Sequence, residues 1–188
     1  RAPVMLVNSG GADDVTLATA WSGTRSLGKR GVLVADAPGF VVNRLLTRQS
    51  SVLMQAIETG NTFEETDAAA LLLGLPMPPS ALLALVGPKV ANHVLHTMHE
   101  AYPDRFALSR TLESLAAGEF PAAQPSPDRA SVDEIRTRIL EALADECRHL
   151  LDEGVVGTAA DIDACVILGA GYPFFLGGIT KHLDQTGI

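Results

Sequence analysis

Residues 1–188 hold only two cysteines, fewer basic than acidic side chains, and no apolar run near the roughly 20 residues that a membrane-spanning helix needs. Each shortage excludes something. Cys147 and Cys165 lie inside helical patterns without metal-type spacing, so they read as core-filling thiols in a reduced, cytoplasmic setting. Fourteen basic residues against 22 acidic ones leave a net charge of −8, which argues against nucleic acid or an anionic membrane as partner. A complete phosphate-cradling glycine motif is also missing. The stretch GAGYPF begins as G-x-G but has Phe174 where a third glycine is needed, and it follows a helical pattern, not a strand. Gly10-Gly11 lacks the pattern altogether, so no dinucleotide site formed by these residues alone is expected. What is present is an ordinary globular composition, 47% hydrophobic and 19% charged.

The first 35 residues read as strand, helix, strand. Val4–Asn8 is a short apolar run, Val15, Ala18, Trp21 and Leu27 mark a helix between the cap candidates Asp13/Asp14 and Gly28, and Val32–Ala35 is the second strand. Two strands and one helix bury little surface. The unit therefore reads as the end of a longer α/β domain, and a chain that opens on Arg1 in mid-pattern is expected to be a piece of a longer protein. Strand edges left bare in this way invite pairing between chains, hence a homo-oligomer.

From Phe40 the pattern is helical. Val42, Leu45, Leu46, Leu53 and Ile57 recur at three- and four-residue steps up to Gly60. Thr62 with Glu65 forms a capping box for a helix to about Leu73, and LPMPP is a rigid corner. SALLALVG and PKVANHVLHTMHEA follow as helices, and Ser109 caps another that stops at Gly118. After a proline-rich stretch, Ser131 and Glu134 open a long helix to Gly154. Thr158 and Asp161 cap the next, which Gly169 stops before a final helix. The two helical parts share a long helix, a glycine stop, a capped short helix and a Gly-x-Pro corner, at offsets of 94 residues (Arg44/Arg138) and 96 residues (Asp67/Asp163). An internal duplication fits this coincidence of capping, glycine and apolar positions.

Several polar clusters have plain explanations. His93, His96 and His99 are spaced three apart, so the outer two diverge by about 120° and lie about 9 Å apart along a helix, a poor fit to one metal ion. Glu64, Glu65 and Asp67 sit where the helix dipole favours negative charge. Arg44 shares a helix face with Arg48 and Gln55 and reads as solvated surface. Asn43 is harder to place, in the stretch DAPGFVVNRLL from Asp36 to Leu46. A local capping or surface role and an amide presented into a cleft at the domain junction both remain open.

DAPGFVVNRLL resembles the junction signature of the L-3-hydroxyacyl-CoA dehydrogenases. GLPMPPSALLALVG resembles the same family's corner after the first helices, and DIDACVILGAGYPFFLGGITKHLDQTG resembles the second copy in the multifunctional fatty-acid oxidation α subunits. The resemblance implies a mainly α fold: a duplicated helical dehydrogenase C-terminal domain after the strand-helix-strand remnant of a Rossmann-type domain. The expected organisation is an NAD-binding remnant over 1–37, a first helical repeat over 38–118, a linker over 119–130 and a second repeat over 131–188. The implied activity is NAD-dependent oxidation of L-3-hydroxyacyl-CoA in β-oxidation, with NAD in the parent protein, an acyl-CoA substrate and a thiolase subunit as partners. The family's substrate-side asparagine falls on Asn43, while Phe40 and Met77 are candidate substrate-lining residues. The catalytic histidine and glutamate have no counterpart in 1–188, so the piece alone is expected to be inactive. Arg48, Pro78, Ser80 and Ala84 depart from the family pattern and leave acyl-chain contacts at the corner open. A non-catalytic helical oligomerisation module and a dehydrogenase of another 3-hydroxy acid are the alternative readings.

Overall fold

The computed structural model describes residues 3–8, 10–120, 126–127 and 129–188. Of the expected linker, residues 121–125 and 128 lie outside that set. The chain forms two compact units, residues 1–45 with 144–188 and residues 46–143.

In the first unit β1 (Pro3–Asn8) and β2 (Arg30–Ala35) pair in parallel, with Pro3 opposite Arg30 and Asn8 opposite Ala35. A parallel pair needs a crossover, and α1 (Asp14–Ser26) supplies it. Asp13 caps α1 by accepting from the Thr16 amide at 2.8 Å, and Gly28 takes the left-handed conformation just past its end. β2 starts two residues earlier than its apolar run because Arg30 and Gly31 continue the ladder. The apolar spacing marked α1 correctly, yet it does not mark a buried face. Val15 and Leu27 are 73% and 76% exposed, and Thr24 is the buried residue of this helix. A two-stranded sheet is too narrow to cover a full helix stripe.

The same unit contains α8 (Ala159–Gly169), a 3-10 turn at Phe174–Leu176 and α9 (Ile179–Thr186). α8 packs against both strands and against α9. The Ala35 amide at the end of β2 donates to the Val155 carbonyl at 2.9 Å, so the backbone before α8 continues the hydrogen bonding of the strand. Gly169 is the last residue of α8, and it is Gly171, with φ +71°, that turns the chain.

Cys147 and Cys165 are both buried. Burial pushes the Cys147 thiol up to about 12, with Asp163 and Glu146 adding to the rise and Arg148 opposing it. Burial and then Asp161 raise Cys165 to about 11. Both thiols therefore stay protonated at neutral pH and shielded from reagents. A disulfide-exchange dye at about pH 8 should label neither cysteine in the native chain and both after unfolding. The folded values lie above the ordinary thiol value of 9.0, so the unfolded state ionises first on the alkaline side. This contribution to stability is complete below that value, and the urea midpoint should fall as pH rises from there toward the folded values. Rapid labelling of the folded protein would contradict the burial.

The second unit holds most of α2 (Val42–Glu58), then α3 (Phe63–Leu71), α4 (Pro79–Val86), α5 (Pro88–Ala101), α6 (Arg110–Ala117) and the first part of α7 (Val132–Asp152). Its core gathers Met54, Leu95, Met98, Phe106 and Leu112, with Ile57, Phe63 and Leu83 packed against them. α3 is opened by the reciprocal Thr62–Glu65 capping box, and Ser109 caps α6. Glu58, at the end of α2, accepts from the Ser109 hydroxyl and the Thr111 amide, which fastens the start of α6.

The duplication extends to individual hydrogen bonds. Neither α4 nor α9 has a capping side chain next to its own start. In α4 the Asp67 carboxylate from α3 accepts from the Ser80 amide at 3.0 Å and from the Ser80 hydroxyl at 2.5 Å. In α9 the Asp163 carboxylate from α8 accepts from the Thr180 amide at 2.8 Å and from its hydroxyl at 2.6 Å. Ser80 and Thr180 are each the second residue of their helix. Asp67 therefore does more than complement its own helix dipole: it supplies a remote cap to the next helix. Gly178 is required for this arrangement, because its φ of +114° disfavours a side chain and an added Cβ would overlap the Asp163 carboxylate.

Among the described residues no helix is long and apolar enough to cross a membrane, and no cluster of three metal-ligating side chains is assembled. The three histidines of α5 have separate surroundings. His99 Nδ1 pairs with the Phe106 carbonyl at 2.8 Å, His96 lies 3.7 Å from the Glu113 carboxylate, and His93 is exposed.

Candidate functional site at the start of helix α2

The chain leaves β2 at Ala35 and enters α2 at Val42 through six residues. The Asp36 amide donates to the Asn8 carbonyl at 3.3 Å, which ties the exit of β2 to the end of β1. The Phe40 amide donates to the Ala37 carbonyl at 3.0 Å and closes a turn over Pro38-Gly39. Gly39 has φ +73° and Phe40 has φ +46°, so two successive residues are left-handed. Phe40 is the one non-glycine residue in this region of backbone space among the described residues, at a cost of order 1–3 kcal/mol. This double reversal delays α2 to Val42, where the apolar pattern alone would begin it at Phe40.

Burial alternates sharply over the first turn of α2. Val41, Arg44 and Leu45 are buried, Val42 is half-buried, and Asn43 is exposed. Asn43 is the second residue of the helix, so it is not its N-cap, and its amide has no hydrogen-bond partner among the described residues. Phe40 lies half-buried three residues before it in the same turn. Met77, exposed between α3 and α4, belongs to the other unit.

Arg44 overturns its surface reading. Its side chain is 0% exposed, its Nε donates to Glu146 Oε1 at 2.6 Å, and its Nη1 donates to Glu153 Oε2 at 2.8 Å. Both acids come from the end of α7, 102 and 109 residues away, or just past it. Glu146 is itself fully buried, and Cys147 and Leu150 on the same helix are buried too. A signal was present in each helix: Arg44 adjoins Val41 and Leu45, and Glu146 lies on an apolar stripe. Opposite charges on two apolar faces point to one another, since an unpaired buried charge is too costly to keep. Gly169 completes the support, because an added Cβ there would come within 3.1 Å of the Val42 side chain.

The G-x-G of the sequence does not stand where a dinucleotide cradle would. Gly169 and Gly171 stand at the C-terminal end of α8, where carbonyl groups project, whereas phosphate cradles use the amides of a helix N-terminus after a strand.

Residues 39–125 match the family model described as 3-hydroxyacyl-CoA dehydrogenase, C-terminal domain. The chain is 27% identical over 199 residues to the fatty acid oxidation complex subunit alpha of Acinetobacter baumannii (strain SDF), covering 87% of this chain and 28% of that protein. The subunit of the same name from Vibrio cholerae serotype O1 is 28% identical over 201 residues, covering 93% and 28%. The chain thus spans less than a third of the length of these relatives. In fold it is similar to the crystal structure of 3-hydroxybutyryl-CoA dehydrogenase from Escherichia coli K12, with a TM-score of 0.75 at 17% identity over 92% of this chain and 58% of the other. The sequence match thus falls on residues 39–125, and the likeness of fold extends over most of the chain.

Proposed function

We propose that the chain is the substrate-side part of an NAD-dependent L-3-hydroxyacyl-CoA dehydrogenase acting in fatty-acid oxidation, within a multifunctional protein of the oxidation-complex type. The observation that carries this reading is the first turn of α2: an exposed, unpartnered Asn43 amide fixed between the buried residues Val41, Arg44 and Leu45. An amide held in this way can donate to an oxygen at substrate C3, where it acts by orientation and electrostatics and takes no proton itself. The left-handed Phe40 sets the direction from which α2 begins, and Phe40 and Met77 are the proposed acyl-side contacts. NAD is the cofactor of this reading for the longer protein. The G-x-G at Gly169–Gly171 follows a helix, not a strand, and supplies no phosphate cradle for it.

The domain reading belongs to the same proposal, with an NAD-domain remnant over 1–37, helical repeats over 38–118 and 131–188, and a linker over 119–130. So do a cytoplasmic setting, a thiolase subunit as partner and self-association through the strand edges. The test is the longer protein that carries this chain, assayed for NADH formation with L-3-hydroxyacyl-CoA and with the free 3-hydroxy acid. Thioester-dependent turnover is expected, with the 188-residue chain alone inactive. Turnover of the free acid alone would favour a dehydrogenase of another 3-hydroxy acid, and no turnover would favour a helical docking module.

A further inference from the structure

Where α1 ends and β2 begins, the first unit carries an open cavity of about 930 Å³, bordered by the exposed Arg25 and Arg30. Its volume is in the range of small-molecule sites. Trp21 and Arg25 border it from α1, Lys29 and Arg30 from the entry to β2, and Ala164 and Leu168 from α8. Three cations thus meet at one cavity in a chain of net charge −8. None of the three has an ion-pair partner among the described residues. The helix dipole accounts for a basic residue in the last turn of α1, which is Arg25, but not for Lys29 and Arg30 beyond it. Asp161 is the acid at this cavity, and its carboxylate is occupied by the Thr158 hydroxyl at 2.8 Å. Trp21 is 39% exposed, and one edge of its ring lies beside Gly31, where an added Cβ would meet two ring carbons at 3.4 and 3.5 Å. The indole thus borders the same cavity as the three cations.

We propose that this cavity binds a phosphorylated ring compound of nucleotide size. Its anionic end lies between Arg25, Lys29 and Arg30, and its ring lies against Trp21 and the apolar wall of α8. Guanidinium groups suit phosphate through paired donors, and an indole stacks on flat rings with useful affinity. The site lies mostly within the segment read as an NAD-domain remnant but uses none of Phe40, Asn43 and Met77, so its failure would leave the dehydrogenase reading standing.

Trp21 is the single tryptophan of the chain, so its fluorescence reports on the cavity directly. The 188-residue chain is titrated with ADP, adenosine and pyrophosphate at constant ionic strength, with calorimetry in parallel. ADP should change the Trp21 emission saturably. Adenosine and pyrophosphate should each bind at least about tenfold more weakly, since either lacks one of the two contacts, worth about 1.4 kcal/mol per tenfold. The double variant Arg25→Gln/Arg30→Gln should weaken ADP by at least about tenfold while leaving the helical circular dichroism unchanged. Three results would overturn the site: no response to ADP up to about 10 mM, which corresponds to binding weaker than about −2.7 kcal/mol; a response to adenosine or pyrophosphate equal to that to ADP; or unaltered ADP affinity in the double variant.

Discussion

Alanine at Asn43 should lower the turnover number of the longer protein by about 10²–10³-fold, the usual loss when one positioned donor to a reacting oxygen is removed. The site favours a clean outcome. Asn43 is exposed, and its amide has no partner among the described residues, so truncation strands no buried donor or acceptor. Alanine is also a better helix former than asparagine, so α2 should keep or slightly gain stability. Activity and stability are thereby separated: a cap or surface residue would leave turnover intact, whereas a substrate contact would lose it at an unchanged melting temperature. Asn43→Asp refines the result, because it keeps the shape, removes the donor and adds a charge that the helix dipole tolerates near its N-terminus. Its turnover should fall as far as that of Asn43→Ala or further. Steady-state kinetics with the acyl-CoA substrate and thermal melting of the same preparations are the two measurements. Wild-type turnover in Asn43→Ala would remove the residue from the site.

What the sequence made legible was local. Asp13, Thr62, Ser109, Ser131 and Thr158 announced their helices because a cap and its amide lie within three residues of each other. The duplication was legible for the same reason, since a repeated pattern of caps and glycines does not depend on where the copies sit. Three features were hidden. Asp67 was explained by its own helix, while its hydrogen bonds reach Ser80, 13 residues on. The apolar spacing of α1 gave the helix but not its burial, which depends on how many strands stand beside it. The left-handed Phe40 could not be inferred, because aromatic residues carry no preference for that conformation and only the turn around it imposes one. The candidate site follows the same division. Asn43 was visible through a motif, whereas the acids that hold its helix start lie more than 100 residues away.

Alanine at Arg44 should destabilise the fold by about 3–5 kcal/mol, because it leaves Glu146 without its cation in a fully buried position. The loss is mainly that of stranding a charge, and the ion pair itself need not be worth as much. This distinction can be measured. If stranding dominates, the double variant Arg44→Met/Glu146→Leu, which removes both charges and keeps comparable volume, should recover most of the loss. Glu153 is half as suitable for such an argument, since its side chain is one-third exposed and water can solvate it after the arginine is gone. The duplication supplies an internal control: Arg138 occupies the position of Arg44 in the second copy and is exposed, so Arg138→Ala should move the urea midpoint little. The two arginines share one sequence pattern and differ in burial, in partners and in place along their helices. A large difference between their alanine variants therefore measures what the Glu146 contact adds at the start of α2. Should Arg44→Ala and Arg138→Ala shift the midpoint alike, the buried pair would not be what holds Asn43 in place.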